Sequence, residues 1–76
     1  MKELIEMLLQ RLVDRPEEVE VREISRPGSV TFEIYVAADD TGKVIGKQGR
    51  IIQALRTVAK ASAIREGQHV FVELIA

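Results

Sequence analysis

Apolar side chains mark the first thirteen residues at helical spacing. Leu4, Ile5, Leu8, Leu9, Leu12 and Val13 recur so as to make one stripe of an amphipathic helix over residues 2–13. Pro16 bars Arg15 from the helical region, so this helix stops near Asp14. Beyond it the period changes to two. Residues 18–25 predict a strand with Val19 and Val21 on one face, and Ile24, out of phase, predicts a bulge or a twist. Pro27-Gly28-Ser29 reads as a turn. Residues 30–37 then alternate cleanly, with Val30, Phe32, Ile34 and Val36 on one side and Thr31, Glu33 and Tyr35 on the other. That alternation predicts a strand with one buried face.

Asp39-Asp40 precedes a short helical turn through Lys43, Val44 and Ile45, and both aspartates are expected to act as N-caps. A glycine-bracketed loop follows, then a helix from about Arg50 to Ile64. Ile51, Ile52, Leu55, Val58, Ala59 and Ser62 lie along one side of that helix. Arg50, Gln53, Thr57 and Lys60 lie opposite, with Arg56 at the edge. The run 65–68 stops the helix, Gly67 suiting a left-handed cap, and a last strand runs through Val70 and Val72 to about Ile75. The order is α-β-β-α-α-β with no linker or repeat, which predicts one α+β domain over residues 1–76, the helices covering one face of a three-stranded sheet.

Composition narrows the chemistry. A chain of 76 residues hides only about 60% of its unfolded surface, so its stability is marginal without a supplement. The absence of Cys removes disulfides and thiolate metal sites, and the single His69 builds no zinc site alone. A second subunit is the supplement left. Ser25, Ser29 and Ser62 have no convincing base partner, which argues against nucleophilic catalysis and against an enzyme. No cofactor is implied. No apolar run is long enough to span a bilayer and the N-terminus has no signal-peptide pattern, so a cytoplasmic address is the default. Residues 1–38 hold five Lys/Arg against eight acids, and residues 39–76 hold six against four. Those six, Lys43, Lys47, Arg50, Arg56, Lys60 and Arg65, have no acid between them, which suggests a basic face suited to a weakly held polyanion or a solvated helix face.

The stretch Lys43-Val44-Ile45-Gly46-Lys47-Gln48-Gly49-Arg50-Ile51-Ile52 carries the candidate function. It resembles the KH-domain signature: an apolar residue before the first glycine, two variable residues, a second glycine, and an apolar residue three places on. The element order is similar to the type II KH fold over the whole chain. The flanking runs 39–43 and 54–58 look like small stand-alone bacterial KH proteins of the KhpA type. The resemblance implies binding of single-stranded RNA, in the manner of an RNA chaperone or post-transcriptional regulator. Glycines at 46 and 49 leave room for a sugar-phosphate backbone, the free amides at the next helix start favour an anion, and KH loops clamp about four nucleotides. Lys43, Lys47, Gln48 and Arg50 would then lie beside phosphates. By the same resemblance, Ile45 and Ile52 would floor a base-reading groove, the last strand would edge it, and the 65–68 loop would be its variable loop. The spacing fits neither a P-loop nor a dinucleotide fingerprint.

The small-residue segment 58–64 gives a candidate dimer interface at Val58, Ala61 and Ile64. Its simpler explanation is helix propensity. The resemblance implies a homodimer, a heterodimer with a larger Jag/KhpB-type KH protein, or both. The alternative function is a protein-interaction module that uses the fold to dimerise without significant RNA binding.

Overall fold

The computed structural model describes residues 1–46 and 49–75. Its elements are α1 (Lys2–Leu12), β1 (Glu20–Arg26), β2 (Ser29–Tyr35), α2 (Thr41–Ile45), α3 (Arg50–Arg65) and β3 (His69–Ile75), with single 3-10 turns at Pro16–Glu18 and Ala38–Asp40. The expected α-β-β-α-α-β order and the α+β type II KH fold class both hold. The sheet runs β1-β2-β3, antiparallel between the first pair and parallel between the second.

One face of the sheet is dry. Val21, Phe32, Ile34 and Val72 point from it into the core, and Ile5 and Leu9 of α1 meet them with Val44 of α2 and Leu55 and Ala59 of α3. Alternation in β2 is as the sequence predicts: Val30, Phe32 and Ile34 are buried, while Thr31, Glu33 and Tyr35 are half-buried on the other side. Pairing of β1 with β2 runs through seven consecutive positions without a slip, so the bulge expected at Ile24 is absent. Ile24 sits opposite Thr31 on the face away from the helices, as an exposed apolar residue. Its odd phase reflects exposure, not a break in the ladder. The strand itself starts later than expected, because Pro16–Glu18 forms a turn and Val19 only leads into β1.

Helix α3 ends as its sequence requires. Gly67, with φ +67, is the left-handed residue, its N–H donates to the Ile64 carbonyl, and the Gln68 N–H donates to the Ala63 carbonyl. These two bonds satisfy carbonyls that the helix end would otherwise orphan.

The expectation that the two aspartates cap α2 needs correction. Neither the 3-10 turn nor α2 has a side-chain cap bond. Asp40 is fully buried, and its two carboxylate oxygens accept the backbone N–H groups of Asp14 and Arg15, each at 3.0 Å. A carboxylate that accepts two amides across 25 and 26 residues joins the exit of α1 to the entry of α2. Asp39 reinforces this from the surface by pairing with Arg15 at 3.6 Å. The same function a cap would serve locally is served at long range.

Replacing Asp40 with Ala leaves two amides and their surroundings without an acceptor. Urea unfolding should show a loss of about 3 kcal/mol, with a smaller loss for Asp40→Asn, which keeps one acceptor oxygen. A loss for Asp40→Ala no larger than that of an exposed substitution contradicts the assignment.

Candidate nucleic-acid interface

Helices α2 and α3 are separate, and the break between them is written by two glycines. Gly46 has φ +61 and ψ −168, a region that only glycine adopts without strain, and Gly49 has φ +69 and ψ 25 as the N-cap residue of α3. A methyl group added at either position would meet Ile51 or Ile52 side chains only at ordinary contact distances, 3.7 and 3.5 Å. The glycine requirement at this bend is therefore one of backbone conformation. Lys47 and Gln48, expected at the tip of the loop, lie outside the described residues.

Around the loop, the expected residues divide. Lys43 is tied down: its ammonium meets the Asp14 carboxylate at 2.6 Å, and that hydrogen bond holds the group charged above the usual lysine range. Ile52 is buried in the core, 8% exposed, whereas Ile45 at the end of α2 is 44% exposed. Arg50, expected beside the phosphates with Gln53 and Lys60, instead borders an apolar groove between α1 and α3 formed by Leu8, Leu12, Ile51, Ala54 and Val58. The six cations of the second half therefore do not make one basic face. Arg50 and Arg56 stand on different sides of α3, because six residues at 3.6 per turn leave them roughly a third of a turn apart around the axis.

A cleft of about 460 Å³ does run beside the loop-bearing helix, between α3 and β3. Gln53, Arg56, Thr57 and Lys60 form its helical wall, and residues 70–73 form the other. Neither Ile45 nor Ile52 lines it, so the floor expected from the resemblance is replaced by Val70 and Val72 of the strand. The expected edge, the last strand, is in place. A second hollow continues the cleft past Lys60 to Gly67, Gln68 and His69, the region expected as the variable loop. Because β3 is the outer strand of the sheet, one row of its backbone groups has no strand partner. The His69 N–H turns toward β2, to the Gly28 carbonyl, so Val70, Val72 and Leu74 present theirs to the cleft. The Arg56 Nε–H confirms that direction by donating to the Val72 carbonyl at 3.1 Å.

The cleft residues are legible in the sequence as a stripe at i, i+3, i+4 and i+7, but no sequence signal shows that this stripe faces a strand edge. Phe71 also stands at the cleft, 53% exposed. Tyr35, by contrast, is occupied on the far face of the sheet, with Arg22 stacked 4.9 Å from its ring centroid and its hydroxyl bonded to Glu33. The three candidate interface residues also separate. Val58, 42% exposed, belongs to the groove against α1, and Ile64, 65% exposed, to the hollow beside Gly67 and His69. Ala61 is exposed between them. No group of His, Asp and Glu suited to a metal ion occurs among the described residues, and no helix among them is long and apolar enough to cross a membrane.

Comparison with known proteins agrees with this architecture. A family model described as the KH domain of KhpA and KhpB matches residues 2–74. Proteins named RNA-binding protein KhpA from Clostridium perfringens and Clostridium acetobutylicum are 53% and 52% identical to the chain, each over 99% of this chain and all of the relative. One of the same name from Chlamydia muridarum is 41% identical, over 99% of this chain and 96% of its own. No solved structure matches. With its glycine-broken helix pair, its mixed sheet and these near-complete matches, the chain belongs to the KhpA/KhpB family of KH-domain proteins.

Proposed function

We propose that this protein binds single-stranded RNA, with the 46–49 loop gripping phosphates and the α3–β3 cleft receiving bases, and that it acts in the cytoplasm as an RNA chaperone or post-transcriptional regulator. One observation carries the reading: two positive-φ glycines open the chain between α2 and α3 at the end of a cleft that has cations on one wall and unpaired strand amides on the other. The relatives at 52–53% identity are named as RNA-binding proteins, not as enzymes. Phosphates favour a helix start and bases favour flat polar edges, and a single-stranded chain can offer both at once. A duplex cannot splay its bases into so narrow a space. Whole-chain coverage by a KH family model supports a single KH domain over residues 1–76.

A second reading is favoured by a separate surface. The groove of Leu8, Leu12, Ile51, Ala54 and Val58 is apolar, with Leu12 and Val58 more than two-fifths exposed. A small domain with a thin core gains from covering such a surface. We infer that this groove pairs the protein with a second copy or with a Jag/KhpB-type KH protein, giving one strand two clefts and raising apparent affinity without new contacts.

Two measurements test these readings. The double substitution Lys47→Asp with Gln48→Asp should weaken binding to short single-stranded RNA by about tenfold or more, with melting unchanged. The wild-type affinity should fall with salt at a log–log slope of about −0.7 for each phosphate held. Equal affinity for wild type and double variant places the site elsewhere. Val58→Glu should convert a dimer to a monomer in analytical ultracentrifugation and leave circular dichroism intact, and an unchanged mass removes the groove from the interface.

A further inference from the structure

We propose, building on the RNA-binding reading above, that Arg56 is a specificity-determining residue that selects a nucleobase carrying two adjacent hydrogen-bond acceptors, namely guanine or cytosine. The side chain is oriented before any ligand arrives. Its Nε–H is committed to the Val72 carbonyl at 3.1 Å, a bond between elements 16 residues apart. Arginine has five N–H donors in one plane and no acceptor. With Nε fixed, the guanidinium plane is fixed, and the two terminal nitrogens remain as a fork at the cleft wall. Arg56 makes no ion pair among the described residues.

The neighbours sharpen the selection. Lys60 stands one turn further along the same wall, so two cations share the cleft at i and i+4. Thr57 Oγ1 donates its proton to the Gln53 carbonyl at 2.9 Å. The Val72 N–H, on the unpaired edge of β3, is a further donor directed the same way. The wall around the fork is therefore rich in donors.

A donor fork discriminates among bases by chemistry alone. Guanine offers O6 and N7 side by side, the pairing that arginine makes most often with nucleic-acid bases. Cytosine in a single strand offers O2 and N3. Adenine sets an amino group beside each of its accessible ring acceptors, and uracil sets an N–H between its two carbonyls. Neither satisfies both prongs. Lysine at this position would keep the charge and lose the planar geometry, which separates base reading from simple phosphate attraction.

The test uses fluorescent octamers of uridine carrying one guanosine, cytidine, adenosine or 7-deazaguanosine, bound to wild type, Arg56→Lys and Arg56→Gln. Wild type should favour guanosine or cytidine over adenosine by about tenfold. If guanosine is the favoured base, 7-deazaguanosine should lose that gain, and its retention overturns the O6/N7 fork. Arg56→Lys should abolish the preference while its affinity for plain oligouridine and its melting temperature stay near wild type. A wild type that binds every octamer equally well overturns the inference and leaves RNA binding standing. An Arg56→Lys variant that keeps the preference, or an Arg56→Gln variant that loses all octamers in equal proportion while folded, also overturns it. A wild type that retains no octamer at low salt defeats the RNA-binding reading itself.

Discussion

A parallel pairing between β2 and β3 cannot be closed by a hairpin, and the chain must leave the sheet and return. That constraint shapes everything near the candidate interface. The return path is α2, the glycine-broken bend and α3, and it lays α3 along β3, the outer strand of the sheet. An outer strand keeps one row of N–H and C=O groups unpaired, which is ordinarily a hazard for edge-to-edge association. Here the row faces a polar helix wall across a cleft, and one of its carbonyls is satisfied by Arg56. The architecture thus places a charged wall, a row of free amides and a phosphate-friendly helix start next to one another.

The crossover needs an anchor, since α2 is only five residues long. Asp40 supplies it. A buried carboxylate accepting two amides from the end of α1 is a stronger fixture than a local cap, because hydrogen bonds to a charged acceptor exceed neutral ones. Lys43 and Arg15 add exposed ion pairs across the same junction, to Asp14 and Asp39. Exposed pairs of this kind are worth little individually. Together these contacts fix the direction in which α2 delivers the bend. Lys43 thereby has a structural bond as well as a place beside the loop.

Local rules make much of this legible in the sequence. Pro16 ends α1 where expected, Gly67 ends α3 in the left-handed form it suits, and the alternation through β2 sorts its buried residues correctly. The two loop glycines mark a bend between helices, and both have positive φ. What stays hidden depends on contacts distant in sequence. The partner of Asp40 lies 26 residues upstream, and nothing in Asp39-Asp40 distinguishes a local cap from a long-range one. Periodicity places Arg56 at the margin of the polar side but cannot show that β3 runs beside it. Ile24 looks like a register defect because apolar residues are assumed to face inward, an assumption that holds only in one direction. Arg50 adjoins the loop in sequence yet turns toward α1, since adjacency along a helix is not adjacency on its surface.

Whether single-stranded RNA lies along the bend and the α3–β3 cleft can be read directly from backbone amide resonances. An isotope-labelled sample is titrated with a single-stranded RNA octamer, and the shift of each amide is followed. Shifts are expected at 46–50, along 53–60 and along 69–73, with β1 at 20–26 undisturbed. Shifts confined to β1 and the far face of the sheet, or to the α1 groove alone, would contradict that path.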